Sequence, residues 1–284
     1  MFNNSIRTRV GILRGGMGEH YGSSLRKGGE IISHIFENLS DKYQTIDIFI
    51  DKNGNWYANG LPIIPADLTH KVDVVWNASQ NPDLSVILDN FYIPNVRNDP
   101  FLKVLENNND ILRKHMEGIG VKMPRSIVLP QNAREVFEKF AAPWIVKIDN
   151  EIKVVKTFNE LARTIKNKNG VIVEEFIVDK PSTVHSISGF RGEDIYVLPP
   201  QNFLTGEKEK IITFAKNLHK HLAAEHYLKS DFILHPRKGF FLTSIGFLPD
   251  LKKGSHFDQS CEFVGAKMHH IIEHILEKAL DKKI

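Results

Sequence analysis

Lys147 closes the apolar run Trp144-Ile145-Val146, and an ammonium at the end of such a strand is costly to bury alone. It is a candidate for phosphate contact; the alternative is an edge-strand lysine whose stem lies on apolar surface while its head reaches water. Arg113, in a helical stretch, either offers two donors to phosphate oxygens or lies on a solvated helix face. Glu174 and Glu175 follow Val171-Ile172-Val173, so they are either solvated at a strand end or set one carboxylate against a hydrogen-bonding ligand. Asp231 stands beside Phe232 in apolar sequence, where a carboxylate requires a partner or a metal.

Other chemistry is thinner. Of 13 histidines, His219, His221 and His226 lie along one helix and its end, and His269, His270 and His274 along another. His270 and His274 share a face that suits zinc, but no third ligand accompanies them, so solvated helix histidines are expected. Cys261 is the single cysteine, which excludes an internal disulfide and a thiolate metal cluster; it reads as a small buried apolar residue. With 37 basic against 34 acidic residues and no long basic block, nucleic acid is not an expected partner. No run of about 18 apolar residues and no signal-peptide pattern occurs, so the protein is expected in the cytoplasm, away from the membrane.

The elements that must position these side chains alternate. A strand over 9–14 ends at Gly15-Gly16 and leads into a helix over 24–38 with Ile31, Ile32, Ile35 and Phe36 on one face. Strands over 45–50 and 72–77 and a helix over 84–91 follow, the pattern of a parallel sheet covered on both faces. From Asp99 the texture changes to a helix over 101–118, then strands over 126–129, 144–148, 152–155 and 171–177 with helices over 133–140 and 158–167, an α+β module with an antiparallel sheet. Strands over 183–188 and 194–198, a helix over 207–221, a hairpin turning at Pro236-Arg237-Lys238-Gly239 and a closing helix over 263–280 complete the chain.

This order of landmarks resembles the D-alanine:D-alanine ligases, of the ATP-grasp superfamily, over nearly the whole length. Val10 to Gly16 with Ser24-Leu25 resembles their opening strand, Gly-Gly turn and Val-Ser-Leu; Val74-Val75-Trp76-Asn77-Ala78 resembles Val-Phe-Asn-Ala; Gly120-Val121-Lys122-Met123-Pro124 resembles Gly-Leu-Pro-Thr-Pro. Lys229-Ser230-Asp231-Phe232 stands where the family has Arg-Val-Asp-Phe, and Leu248-Pro249 where it has Leu-Pro-Gly. The resemblance implies an α/β fold of ATP-grasp type: an N-terminal parallel-sheet domain (1–97), a central α+β domain (98–179) and a C-terminal α+β domain (180–284). It also implies ATP held by Arg113, Lys147, Glu174, Glu175 and Ile177, magnesium on Asp231, and Ser24, His20 and Lys229 near a D-alanine or similar amino-acid substrate. A homodimer through the first domain is implied as well.

Departures concentrate in the parts that serve ATP. Ser244 and Gly246 stand where the family has its metal-binding Glu and Asn. Ile148-Asp149-Asn150-Glu151 replaces the glycine-rich phosphate loop, Pro181 the ribose-binding carboxylate, and the lid shrinks to residues 201–206. His20 replaces a glutamate and Ser79-Gln80 a His-Gly pair. Each preorganised donor lost typically costs about 3 to 4 kcal/mol of transition-state stabilisation. Two readings follow: an ATP-dependent carboxylate-amine ligase joining small amino acids through an acyl phosphate, or a ligase-derived protein that binds a nucleotide or metabolite without turnover. A second carboxylate near Asp231, such as Asp250 or Asp258, would favour the enzyme.

Overall fold

In the computed structural model, which describes residues 7–18, 20–79, 81, 83–96, 99–148, 151–178, 180–201, 203–235 and 237–281, the β-branched and aromatic runs form strands and the amphipathic stretches helices. The elements run β1 (Thr8–Gly15), α1 (Tyr21–Asn38), β2 (Tyr43–Ile50), β3 (Trp56–Ala58), β4 (Leu61–Ile63), α2 (Leu68–Lys71), β5 (Val74–Asn77), α3 (Asp83–Asn90), β6 (Asn95–Val96), α4 (Pro100–Asn107) and α5 (Asn109–Gly118). They continue with β7 (Ser126–Val128), α6 (Ala133–Lys139), β8 (Trp144–Ile148), β9 (Glu151–Val155), α7 (Phe158–Ile165), β10 (Ile172–Glu175), β11 (Lys180–Ser188), β12 (Ile195–Leu198), α8 (Thr205–Leu222), β13 (Tyr227–His235), β14 (Gly239–Gly246), α9 (His256–Phe263) and α10 (Met268–Asp281).

Three sheets result, ordered β4-β3-β2-β1-β5-β6, β7-β10-β8-β9 and β12-β11-β13-β14. In the first, β1 pairs in parallel with β2 and β5, and β5 with β6. The expected parallel sheet is present, but β2 pairs antiparallel with β3, so a hairpin extends one edge. Its Asn59-Gly60 turn has positive φ at both residues (48° and 82°), the Asn-Gly hairpin signal that the sequence carries. The helix expected over 101–118 is broken, and the one expected over 263–280 begins only at Met268, after a helix over His256–Phe263 that is not expected from the sequence. Asn108 (φ −132°) separates α4 from α5 within an asparagine-rich stretch of low helix propensity. Gly265, at φ +66°, lies between α9 and α10, a conformation that glycine adopts without strain.

Contacts divide the chain into two compact units, one of 1–108, 183–230 and 245–284, the other of 109–182 and 231–244. In the first unit the sheet is covered on both faces, as a β5 buried along its whole length requires. Ile31 and Ile35 of α1 and Ile271, Ile272, Ile275 and Leu276 of α10 pack in one core with Val10, Ile12, Val74 and Trp76. Leu84 and Leu88 of α3 pack with Leu13, Ile48 and Val75 in another. In the second unit Val136, Trp144, Val146, Leu161 and Val173 form the core between the β7–β10 sheet and α6 and α7.

Local constraints fix the first turn. Gly15 sits at φ +87°, and a Cβ there would lie 2.2 Å from the Ile50 carbonyl oxygen, so only glycine fits. Cys261 is fully buried and burial pushes its thiol up to about 12, so it packs as the apolar residue expected. Among the described residues no helix is long and apolar enough to cross a membrane.

Candidate functional site

In the second unit, β8 and β10 run antiparallel with Lys147 opposite Ile172 and Glu174 opposite Ile145, so Lys147 and Glu174 are diagonal neighbours on one face. Lys147 Nζ lies 2.7 Å from Glu174 Oε2, and Arg113 Nη2 approaches Glu174 Oε1 at 3.7 Å. Arg113 is held from α5 by Asp110 (2.7 Å) and by the Pro124 carbonyl, which accepts from Nε at 3.0 Å. Thus Arg113, Lys147 and Glu174, far apart in sequence, form one cluster with two cations around one buried acid, and Lys147 does not end as a lone snorkelling head. Ile177 is buried beyond the strand end.

Glu175 points to the other face, where Arg125 donates to it through Nε (2.8 Å) and Nη2 (3.0 Å). This hydrogen bonding holds its carboxyl below the usual carboxylate range. Glu175 and Arg125, with Lys122, Lys238 and Phe241, line a cleft of about 570 Å³. Glu174 and Glu175 therefore serve different surfaces, as strand alternation dictates.

Asp231 lies on β13, where Ser244 of β14 donates its hydroxyl to Oδ2 at 2.6 Å. Among the described residues no group of three or more His, Cys, Asp or Glu side chains could hold a metal ion. A magnesium site of the family's type needs more than one carboxylate and oxygen ligands that are not already hydrogen-bonded to each other. The residues here do not fit it: serine occupies one ligand position and binds the remaining aspartate. Asp250 and Asp258 belong to the first unit, where Asp250 lines a pocket and Asp258 accepts from the Gly254 N–H at 2.8 Å.

That first-unit pocket, about 380 Å³, is lined by Lys27, Glu106, His185, Lys229, Asp250 and His256, among others. Gly246 lies beside Glu106 and Lys229, since a Cβ there would stand in ordinary contact 3.6 Å from Glu106 Oε1 and 3.8 Å from Lys229 Cβ. Glu106 pairs with Lys103 at 2.9 Å and accepts from the Phe247 N–H at 3.2 Å. His185, buried, links Tyr227 Oη (2.7 Å from Nδ1) to His256 Nδ1 (2.8 Å from Nε2). Neither His185 nor His256 stands out by spacing, since the bond joins β11 to the first turn of α9. Substituting Tyr227→Phe is expected to lower the unfolding free energy by about 1 to 3 kcal/mol, the desolvation cost of a buried group that loses its partner; urea denaturation measures it, and a loss within experimental error would show that the hydroxyl bond contributes nothing.

His20 lines a small cleft of about 270 Å³ with Gly15, Gly18, Tyr21 and Ser79. Ser24, buried, accepts from the Gly15 N–H at 2.9 Å, which ties α1 to the glycine turn. Residues 149–150, 202 and Gln80 of the departures noted above lie outside the described residues. The expectation of solvated helix histidines fails for His219 and His226, both buried. His219 bonds Ser186 and Ala224, and His274 bonds the Ser188 carbonyl at 2.9 Å, while His270 accepts from the Lys267 N–H, so His270 and His274 serve separate local contacts.

No family model matches the chain. It is 20% identical to the D-alanine–D-alanine ligase of Christiangramia forsetii, the alignment covering 98% of this chain and 100% of that protein. The crystal structure of D-alanyl-alanine synthetase A from Vibrio cholerae superposes with a TM-score of 0.78 at 17% identity, covering 97% of this chain and 99% of that one. The Bacillus anthracis D-alanine–D-alanine ligase complexed with ATP gives 0.73 at 20% identity, covering 97% and 98%. The chain is a divergent relative of the D-alanine:D-alanine ligases. Its fold is the ATP-grasp α/β fold of these ligases, and coverage near the full length of each relative excludes a match confined to one shared module.

Proposed function

We propose that this relative of the ligases is an ATP-dependent carboxylate-amine ligase for small amino acids of the D-alanine type, acting in the cytoplasm. The observation that carries the reading is the Arg113–Lys147–Glu174 cluster, in which Arg113 of α5 and Lys147 on the sheet face offer two cations for phosphate oxygens and Glu174 one acid for the adenine amino group. ATP fits such a set: the two cations neutralise developing charge and Ile177 lies at the adenine end, whereas Glu175, turned to the opposite face and engaged by Arg125, is not part of it. In the reaction, the carboxylate of one amino acid attacks the γ-phosphorus, releasing ADP and forming an acyl phosphate. The amine of a second then attacks the acyl carbon, expelling inorganic phosphate and leaving an amide. Lys229 orients a substrate carboxylate, with His20 and Ser24 at the glycine turn beside the first amino acid. Three domains, 1–97, 98–179 and 180–284, and a homodimer through the first belong to the same proposal.

A second reading, nucleotide binding without turnover, is favoured by the Ser244–Asp231 hydrogen bond at 2.6 Å, which occupies the place of a metal pair. Thermal unfolding with ATP tests both. At about 100 times its dissociation constant a ligand adds roughly 2.7 kcal/mol of stability. A rise in Tm with ATP, with inorganic phosphate released when D-alanine is added, supports the ligase; a rise without phosphate release supports the binder; no rise with ATP or ADP removes both.

A further inference from the structure

Lys27 of α1 lines the first-unit pocket, and the reaction described above gives it no task. The residue is half-buried, and among the described residues its amine forms no ion pair or hydrogen bond. The charges acting on it come from α1, α4 and the segment after β14. Arg26 precedes it and lies 3.5 Å from Glu30, Lys103 and Glu106 pair with each other at 2.9 Å, and Asp250 follows Leu248-Pro249. Burial is the largest influence and lowers the pKa of the amine; Lys103 and Arg26 lower it further, while Glu106 and Asp250 oppose them. The two carboxylates thus act on Lys27 from beyond ion-pair distance. The other titratable groups of the pocket include Tyr227 and Lys229 of β13, His185 of β11 and His256 of α9. A lysine whose head reaches water past an apolar stem keeps an ordinary amine. Lys27 instead sets an amine that gives up its proton more readily on the wall of a cavity of about 380 Å³, the small end of ligand pockets.

We propose that Lys27 is the base of the second half-reaction: as the neutral amine it takes a proton from the ammonium of the amino acid bound in this pocket, which then attacks the acyl phosphate. An ammonium has no lone pair, so the nucleophile must lose one proton before it can react; that proton becomes the third hydrogen on Lys27 Nζ. The freed amine forms the C–N bond as the C–O bond to phosphate breaks. Phosphate leaves with that electron pair and takes the second proton from nitrogen, which yields the amide. Lys27 returns its proton to solvent when the product departs. Glu106 and Asp250 suit this role, because their negative charge at a distance lets the pocket hold the protonated lysine that the transfer creates. A base works best when its pKa lies near the working pH, and for lysine that means a shift downward. The inference rests on the ligase reading for the reaction; the choice of Lys27 comes from the cavity and from an amine without a bonded partner.

Two measurements on the full chain test it. In trace labelling with acetic anhydride from neutral to alkaline pH, only the unprotonated amine attacks the anhydride, and the peptide that holds Lys27 reports its titration by mass spectrometry. Labelling of Lys27 should reach half its limiting rate at a lower pH than that of the exposed lysines. In phosphate release with ATP and D-alanine, K27M should lower kcat by about a hundredfold or more with little change in KM. K27R, which keeps the cation but cannot give up its proton, should do the same. Rescue separates a base from a packing residue: Lys27→Cys alkylated with 2-bromoethylamine restores an amine, and Cys261, being buried, is spared. The sulfur makes the new amine more acidic, so kcat should return with its acid limb moved to lower pH. Labelling that follows the exposed lysines, a kcat for K27M close to that of the wild type, or an acid limb that the rescue leaves in place would overturn the proposal. Phosphate release that K27M retains sinks the base role and leaves the ligase reading standing; no release by the wild type sinks both.

Discussion

Replacing Glu174 by glutamine is expected to lower the unfolding free energy by about 3 kcal/mol, more than a surface ion pair could account for. The Glu174 side chain is 11% exposed and that of Arg113 13%, while Lys147 keeps 29%. Glutamine preserves the volume but removes the charge that two cations share, leaving Lys147 with uncompensated desolvation. Arg113 retains Asp110 and the Pro124 carbonyl, which places the loss at the lower end of the range for a broken buried pair. The sign of a second substitution makes the argument specific. Adding Lys147→Met to Glu174→Gln should recover part of the loss, because the stranded charge disappears with its partner. Urea denaturation of the two single variants and the double variant measures the coupling; a loss under about 1 kcal/mol for E174Q, or a double variant as weak as the sum of the singles, would show that solvent already screens the cluster.

The parts of this site visible in the sequence are those in which local pattern and long-range geometry coincide. Trp144-Ile145-Val146 followed by Lys147 reads as a strand ending in a charge because period and composition agree, and the relationship to the ligases rests on such landmarks in order. That Lys147 meets Glu174 depends on antiparallel register between β8 and β10, which no local pattern states. Glu174 and Glu175 look equivalent in sequence, yet strand alternation sends one to the cation cluster and the other to Arg125. The Tyr227–His185–His256 chain was hidden for a stronger reason: each residue sits on a different element, and a histidine among apolar neighbours gives no sign of its partner. The hairpin of β3 and β4 is a different case: no strand is expected from the sequence between 50 and 72, although Asn59-Gly60 between apolar residues is a local signal strong enough to find it.

Gly246 stands at one metal-ligand position of the ligases the chain resembles and also lines the first-unit pocket. Glu106 and Lys229 lie within ordinary contact of this position, and Glu106 is already neutralised by Lys103. A carboxylate so engaged does not replace a metal ligand in the ordinary sense, because its charge is matched by an ammonium 15% exposed or less on either side of the pair. Asp231 is likewise engaged, with Ser244 as its donor. Turnover in such a protein would have to draw its charge neutralisation from Arg113 and Lys147, so K147M is the substitution by which ATP-dependent stabilisation should be lost most completely.

Acidification should destabilise the protein by about 3 kcal/mol through His219 alone. His219 is 2% exposed, and burial pushes its pKa from 6.5 down to about 4. Its ring is satisfied as the neutral form: Nε2 lies 2.9 Å from the Ala224 carbonyl and donates to it, and Nδ1 accepts from the Ser186 hydroxyl at 2.7 Å. Hydrogen bonding does not forbid the cation, because Ser186 can turn its hydroxyl to the Leu228 carbonyl at 3.2 Å and accept from Nδ1; desolvation is the dominant cause, with Lys278 adding to it and Asp194 opposing. Because the folded pKa lies below the unfolded one, the unfolded chain binds the proton more readily, and stability rises with pH. The contribution is complete above about pH 6.5 and is lost as pH falls toward 4; at roughly 1.36 kcal/mol per unit the two and a half units amount to about 3 kcal/mol. Carboxylates titrate in the same window, so the measurement is a difference: urea stability of the wild type and of His219→Gln at pH 7 and at pH 4.5. Glutamine loses some packing at both, but its deficit should shrink at the lower pH; a gap between the two proteins that does not change with pH would show that His219 titrates like an exposed imidazole.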